Sequence, residues 1–581
     1  MKGGVKVRVK KIISDLLAAD LVIINGKIVT VDKKFSITQA VAMKDGKIIA
    51  VGKNEDIKEL AGKNTKVLDL KGKTVLPGIN DSHIHAVAYW GTRPPLAVDI
   101  GFPTVRSISD IVKAVGEKVK TLQPGEWIQG WGWDEGYLQE CLKDPARHPT
   151  KWDLDPISPD NPVCLNDFSG HVIWVNSKSL ELAKVTKATP LPSGGEIVRD
   201  PATGEPTGLL KELPAEGLVM RVIPPLTREQ KKKTILTAMK ELNSIGITSI
   251  TEGALGPGGG DFQGGLLGSE CISVYNDLCN EGKLSLRVGI MLLFGEYGAL
   301  SLKDLQKGIS YLGIHTGFGS EWLRIAGVKL FADGIPPSKT AWMYEEYVGG
   351  GTGKLVLPGE TDEERYNELI NMIVSAHKNG FQVGIHATGD RAIDACVDGY
   401  IKAMEEYPWD ARHYVIHGDF TTPECAKRMA RYNIGVAVQS GIKWTISDFM
   451  DRLVGEQRSA RQWPLRTLID TGVHLSGSSD APVSYPNWKQ GIEAAVLRES
   501  KATGKVSGPE QCISREEAIR IYTIGGAWQD HMENTKGSIE VGKLADLCVL
   551  DEDILTVDPH QIKDIRTVMT IVGGKIVYDA S

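Results

Sequence analysis

Residues 74–87 read TVLPGINDSHIHAV, and this stretch decides how the rest of the chain is interpreted. A short apolar run, interrupted by Pro77 and Gly78, leads to the pair His83 and His85. Side chains two apart on an extended strand lie on the same face, so both imidazoles can reach one point. Imidazole is the commonest protein ligand for a divalent transition metal. Two histidines can also meet by chance at the end of a strand, so the pair predicts a metal site only together with further ligands.

Short apolar runs alternate with helical stretches between residues 77 and 534. Residues 247–250, 383–386 and 414–417 are typical of buried strands, and the segments between such runs have helical apolar spacing. This alternation predicts βαβ units and a parallel sheet. About eight repeats favour a closed (β/α)8 TIM barrel over an open doubly wound sheet. No GxGxxG motif opens a helix to support a dinucleotide fold.

Both ends of the chain predict β-hairpins. Apolar and polar residues alternate over residues 21–51 and again over residues 545–579, around the turn dipeptides Asn25-Gly26, Asp45-Gly46 and Gly573-Gly574. Each end has too few strands for a stable core, so we expect one small composite β-sandwich. Two unrelated hairpins are the alternative. The predicted divisions are residues 20–77 (sandwich), 78–533 (barrel) and 534–581 (sandwich).

Two segments depart from the alternation. Residues 101–213 are long and rich in Trp and Pro, and we interpret them as a loop-rich insertion after the first barrel strand that covers the barrel mouth. Residues 253–268 are rich in glycine. We expect a mobile loop there rather than a phosphate-binding loop, because no Lys-Ser or Lys-Thr follows.

The composition excludes several classes of partner. The 581 residues include 67 basic and 73 acidic residues, for a net charge of −6, and no Lys/Arg-rich run predicts binding to nucleic acid or to a membrane. The eight cysteines lack CxxC spacing, which fits a reducing cytosol. We find no signal peptide or bilayer-spanning run and expect a cytoplasmic protein. Residues 1–19 are basic and have no assigned role. Exposed sheets of the sandwich could pair two subunits as a homodimer.

Four further candidate ligands follow short apolar strands, where barrel enzymes place their chemistry, namely Lys329, His386, His417 and Asp480. Each has an ordinary alternative: a structural histidine, an edge-strand lysine or a helix-capping aspartate. Together with the His-x-His pair, they predict one divalent-metal centre.

Several motifs carry a resemblance to a known family: PGINDSHIHA, GWGWDE, SGHVIWVNSKSL, GVKLFADG, IHATGDRAID, VIHGDF and SGSSDAPV. The chain resembles the amidohydrolase superfamily. Within it, the chain is most similar to the YtcJ-like branch (amidohydrolase family 3), which includes N-substituted formamide deformylases. The resemblance runs from about residue 21 to the C-terminus.

The resemblance implies a role for each candidate ligand. His83 and His85 would bind the more buried ion, and a carboxylated Lys329 would bridge it to a second ion. His386 and His417 would bind that second ion, and Asp480 would contact metal and shuttle the proton. The expected cofactor is Zn²⁺, as one or two ions. Carboxylation of Lys329 stays open, and a mononuclear site is the alternative.

The predicted reaction is hydrolysis of a C–N bond in a small amide or N-substituted formamide by metal-activated water. Asp480 would take the proton and pass it to the leaving nitrogen, and His171 is a second catalytic candidate, with a packed loop histidine as its alternative. Hydrolysis of cyclic amides, carbamates or esters, or a non-catalytic scaffold, are the competing functions.

Two further groups of residues complete the predicted site. Asp333, Asp390 and Asp419 follow ligands closely and would orient imidazoles or cap helices. An aromatic wall would accept an apolar or aromatic substituent of the substrate, and its candidates are Trp90, Trp133 and Trp342.

Overall fold

Eight parallel strands form the central sheet of the computed structural model, which describes residues 18–192, 194–260, 262–295 and 300–580. Residues 1–17 lie outside the described residues. The strands are β1 Ile79–Ile84, β2 Ile247–Leu255, β3 Arg287–Leu292, β4 Leu323–Phe331, β5 Val383–Ala387, β6 Tyr414–His417, β7 Gly435–Val438 and β8 Leu475–Gly477. Each pairs in parallel with its neighbour in sequence order. The predicted (β/α)8 barrel is confirmed.

Hydrogen bonds between the ends of β1 and β8 close the barrel. Ser82 Oγ donates to Gly477 O at 2.8 Å, and Asp480 N donates to His83 O at 2.9 Å. His85 N then donates to Ala481 O at 2.8 Å in the loop after β8. The closing seam therefore passes through three of the predicted ligands.

Amphipathic helices pack around the barrel. The longer ones are Arg228–Ser244, Ser269–Asn280, Leu302–Leu312, Asp362–Lys378, Asp390–Glu406, Pro423–Arg431, Ser440–Val454, Leu465–Thr471 and Trp488–Leu497. Thr227, Ser301, Thr361 and Thr422 cap four of them by accepting a backbone N–H. Helix Asp362–Lys378 buries Leu369 and Ile373 toward the core. In the described part of the chain, no helix is both long and apolar enough to span a bilayer.

The insertion after β1 has more regular structure than we expected. Six short strands form one sheet, in the order Glu196–Arg199, Pro206–Lys211, Val172–Val175, Val163–Asp167, Ile128–Trp133 and Val98–Asp99. Helix Ile108–Val119 covers it, and Ile111, Leu165 and Trp174 belong to a hydrophobic core separate from that of the barrel. The expectation of a loop-rich insertion was wrong, because Gly130, Gly132, Pro206 and Gly208 lie within paired strands rather than in loops.

Strands from both ends of the chain share one sheet. Leu547–Leu550 pairs antiparallel with Thr74–Pro77. The six-stranded sheet is completed by Lys575–Asp579, Thr567–Val572, Lys27–Val29 and Ile37–Thr38, and a second sheet contains Lys47–Gly52, Ala40–Lys44, Ala19–Ile24 and Ala61–Asp69. Ile23 and Val41 of the second sheet share a core with Val549 of the first. The exact domain boundaries remain predictions.

One predicted turn does not make a hairpin. Asp45 and Gly46 both have positive φ and join two paired antiparallel strands, as a type I′ turn requires. At Asn25-Gly26 only Asn25 has positive φ, and the flanking strands belong to different sheets. At this dipeptide the chain leaves one sheet and enters the other instead.

A buried ion pair joins the barrel to the composite sheet. Arg287, in β3, donates from Nε to Asp546 Oδ2 at 2.6 Å and from Nη2 to Asp546 Oδ1 at 2.9 Å. Asp546 Oδ1 also accepts from Gly573 N at 2.8 Å. Both side chains are at most 5% exposed, so neither charged group can be solvated by water.

We predict that Asp546→Ala lowers the free energy of unfolding by ~3–5 kcal/mol, because it leaves the Arg287 guanidinium buried without a counter-charge. Urea denaturation followed by tryptophan fluorescence measures the loss. Arg566→Ala is the control, since Arg566 pairs with Asp551 but is 81% exposed, and its loss is expected to stay below ~1 kcal/mol. Equal losses for the two variants would contradict the prediction.

Candidate metal centre

The predicted ligands converge at the C-terminal end of the barrel. Asp480 Oδ1 lies 3.4 Å from His83 Nε2 and 3.5 Å from His85 Nε2, and these three residues each place a donor atom within 4.8 Å of the others. Lys329 Nζ lies 3.1 Å from His83 Nε2. Asp480 Oδ2 lies 3.9 Å from His417 Nε2. Two imidazoles and a carboxylate form a donor set that suits a divalent transition metal.

Hydrogen bonds fix the orientation of the other two imidazoles. Gln439 donates from Nε2 to Ala437 O and Ser478 Oγ, so its Oε1 accepts from His417 Nδ1 at 2.9 Å. The lone pair of His417 is then on Nε2, toward Asp480. His386 donates from Nε2 to Gly334 O at 3.1 Å, which leaves its lone pair on Nδ1.

Burial sets the charge of these groups. It lowers the pKa of His83, His386 and His417 well below the ordinary value and that of His85 to about 3. The imidazoles are therefore neutral at pH 7 and each keeps a lone pair for a metal. The same loss of solvent lowers the pKa of the Lys329 ammonium and raises the pKa of the Asp480 carboxyl.

Close packing reserves space for the His-x-His imidazoles. His83 Nδ1 and His85 Nδ1 are buried without a hydrogen-bond partner among the described residues. A Cβ added at Gly253, in β2, would lie 2.5 Å from His83 Cε1 and 2.8 Å from His85 Cε1. Only glycine fits there. Gly253 thus belongs to a strand rather than to the mobile loop we expected, and the packing fits a metal held by both rings.

The insertion contributes His171 together with Glu212. His171 Nδ1 lies 2.7 Å from Glu212 Oε2, and the His171 ring centre is 5.0 Å from that of His386. Burial opposes the charged form of His171, but the Glu212 carboxylate outweighs it and raises the pKa of His171. Glu212 has φ 64° and ψ 153°, a conformation that only glycine adopts without strain. Such strain at a buried carboxylate is typical of functional sites.

Among the described residues, none of the three predicted orienting aspartates is hydrogen-bonded to a histidine, and two of them accept from backbone N–H groups. Asp333 accepts from Trp342 N, Thr388 N and Gly389 N, and Asp390 accepts from Tyr344 N. Both hold the loops after β4 and β5, and the helix that begins at Asp390 has no side-chain cap hydrogen bond, so neither aspartate caps it. Asp419 accepts from Gln462 Nε2. Gln439 and Glu212, which sequence reasoning missed, orient the imidazoles.

Two adjoining cavities open at the site. One, of about 100 Å³, is lined by Lys329, His171, His386 and Asp480 among others, and the other has a volume of about 410 Å³. Trp131 lines both cavities.

None of the predicted wall residues Trp90, Trp133 and Trp342 lines either cavity as described, and all three are buried. Trp133 donates from Nε1 to Leu165 O inside the core of the insertion. A bulge separates Trp131 from Trp133, and Gly132 between them has φ 112°. The bulge breaks the alternation that would put both rings on one face.

We predict that Gly253→Ala weakens metal binding roughly 10–100-fold, because the new methyl group displaces both imidazoles. Metal content after dialysis against a chelator, measured by inductively coupled plasma mass spectrometry, reports the effect. Gly116→Ala is the matched control: a Cβ there meets nothing within 4 Å, and the helix gains ~0.5–1 kcal/mol. Equal metal retention in both variants would contradict the packing argument.

Comparison with known proteins agrees with this geometry. A family model described as "Amidohydrolase family" matches residues 66–578. The chain is 31% identical to amidohydrolase YtcJ of Bacillus subtilis, over 94% of this chain and 96% of that protein. It is 28% identical to the N-substituted formamide deformylase of Arthrobacter pascens, over 96% and 98% of the two chains.

A solved structure shares the fold as well. A metal-dependent hydrolase from Pyrococcus horikoshii matches with a TM-score of 0.70 and 26% identity, over 93% of this chain and 99% of that one. The predicted resemblance is confirmed, and the chain belongs to the amidohydrolase family, whose members are metal-dependent hydrolases.

Proposed function

We propose that this protein hydrolyses the C–N bond of a small N-substituted formamide or related amide, giving an amine and a carboxylic acid. The observation that carries the proposal is the meeting of Asp480 with His83 and His85 around one point at the barrel mouth. The formamide class is supported by similarity to the Arthrobacter pascens deformylase along nearly the whole chain.

We propose that a divalent ion, with Zn²⁺ as the expected metal, is held by His83, His85 and Asp480. His386 and His417 face the same cavity and would hold a second ion. Such an ion supplies a water of lowered pKa and polarises the substrate carbonyl.

Lys329 is suited to carboxylation. Burial lowers the pKa of its ammonium, so a fraction of the amine is neutral near pH 7 and can add to carbon dioxide. The ammonium form has no lone pair for a metal, whereas the carbamate has two oxygens. Lys329 Nζ is 3.1 Å from His83 Nε2 and lines the cavity beside His386, so a carbamate formed on Lys329 would lie close to both histidine pairs.

Asp480 and His171 have different roles in the proposed reaction. Asp480, whose carboxyl pKa is raised by burial, accepts the proton of the attacking water and donates it to the leaving nitrogen. His171, held by Glu212, donates a hydrogen bond to the carbonyl oxygen as negative charge develops there. Its charged form is favoured by Glu212, so this donor is prepared before substrate binds.

We predict that the purified protein releases formate from N-benzyl and N-aryl formamides, and that Asp480→Asn lowers kcat roughly 10²–10⁴-fold because the proton acceptor is lost. Formate release from the formamides is measured with a coupled dehydrogenase assay, and hydrolysis of acetamides, carbamates and cyclic ureides is followed by chromatography of the products. Asp410→Asn is the control, since Asp410 is 57% exposed and pairs with Arg412 at the surface. Activity confined to cyclic ureides would refute the substrate class, and turnover by metal-free protein would refute the mechanism.

We predict that Glu212 acts only through His171. His171→Ala is expected to lower kcat roughly 10²–10³-fold and Glu212→Gln roughly 10–100-fold. In the His171→Ala background, Glu212→Gln should change kcat less than about twofold. Glu196→Gln, on the exposed edge of the same sheet, is the control. Additive losses in the double variant would show that Glu212 has an independent structural role.

A further inference from the structure

The cavity at the metal centre is too small for a whole substituted amide. Its volume is about 100 Å³, whereas small-molecule sites usually occupy roughly 300–1,000 Å³. The neighbouring cavity, of about 410 Å³, shares four wall residues with it, namely Trp131, Phe168, Pro482 and Val483. The smaller cavity therefore accepts the scissile group, and the rest of the substrate must extend into the larger one.

A cation whose ammonium has no hydrogen-bond partner among the described residues lines this larger cavity. Lys501 Nζ lies 5.0 Å from the ring centre of Phe102, 5.3 Å from that of Trp444 and 5.8 Å from that of Tyr137. In residues 18–580 as described, no hydrogen bond and no carboxylate within 4.0 Å satisfies this ammonium. Aromatic faces stabilise a cation but do not replace the hydrogen bonds that a half-buried ammonium loses.

The nearby carboxylates already have other partners. Asp134 Oδ1 accepts from Gly136 N at 2.7 Å, and Asp99 Oδ1 accepts from Gly101 N at 3.2 Å. Asp81 accepts from Ser479 N at 3.0 Å and from Ser479 Oγ.

Two other charged groups complete the surroundings. Asp448, near Lys501, accepts from Ala502 N and Thr503 N. Arg93, a second cation on the cavity wall, stacks on the Tyr89 ring at 4.2 Å. Arg93 also has no carboxylate within 4.0 Å in the described part of the chain. Asp134 and Asp448 lie near enough for their charges to favour the charged form of Lys501, but among the described residues neither cation of the cavity has a carboxylate in direct contact.

We propose that the larger cavity binds the amine portion of the substrate as an apolar or aromatic group carrying a carboxylate, which pairs with Lys501. The rings of Phe102, Tyr137 and Trp444 would contact the apolar part. This inference rests on the proposed hydrolysis at the adjoining site and names its substrate class. Lys501 is then a specificity residue that takes no part in bond cleavage.

Binding of inert ligands tests the subsite without any turnover. Isothermal titration calorimetry on the metal-loaded protein is expected to show 4-ethylbenzoate binding roughly 10-fold or more tighter than neutral 4-ethylbenzamide. Lys501→Gln should abolish this preference and Lys501→Arg should keep it. Lys120→Gln is the control, because Lys120 is 68% exposed on the surface. Equal affinities for the two ligands, or tighter binding of the amide, overturn the proposal, and this wild-type comparison needs no variant to fold.

Steady-state kinetics then distinguish binding at the Lys501 subsite from the bond-cleavage step. Lys501→Gln is expected to raise KM for N-(4-carboxybenzyl)formamide roughly 10-fold or more, with KM for N-benzylformamide and both kcat values within about twofold. An equal KM increase for both substrates overturns the subsite. Tight, Lys501-dependent binding of 4-ethylbenzoate by a protein that hydrolyses no amide supports the anion site and refutes the proposed function.

Discussion

The closing seam between β1 and β8 is the interaction on which the site depends. Asp480 N donates to His83 O there, and His85 N donates to Ala481 O. The buried Asp81 carboxyl holds the same loop by accepting from Ser479 N at 3.0 Å. Because the seam itself carries the ligands, closing the barrel and bringing the carboxylate to the imidazoles are one structural event.

Burying many polar and charged side chains at this end of the barrel costs folding free energy unless each charge has a partner of opposite charge. A neutral imidazole can be buried at moderate cost, but a buried carboxylate or ammonium needs a partner of opposite charge. Lys329 and Asp480 partly serve each other, and the charge of one opposes the burial shift in the pKa of the other. His417 and Asp480 also adopt positive φ, which costs each residue of order 1–3 kcal/mol. The fold bears this strain where a bound cation would offset the buried negative charge.

The sequence predicts the ligands better than the groups that hold them. His83, His386 and His417 each follow an apolar strand, and strand ends of a parallel barrel meet on one face, so local pattern is enough. Gln439 and Glu212 contact histidines 22 and 41 positions away, and no local pattern encodes those pairings. Trp131 and Trp133 show the limit of periodicity, because one bulge sends the two rings to different cores. In the same way, Asn25-Gly26 has the residues of a hairpin turn but only one positive φ.

The insertion contributes to both the chemistry and the choice of substrate. One part of its sheet has its own hydrophobic core, whereas Trp131, Cys164 and Ile173 pack in the same core as the barrel. It supplies His171 to the metal-centre cavity and Trp131 to both cavities. The barrel strands and the residues that directly follow them supply the six predicted ligands, whose positions are fixed by the seam and by strand register. Because Trp131 packs in the barrel core and lines both cavities, a change at this part of the wall affects the metal-centre cavity as well as the space for the amine portion.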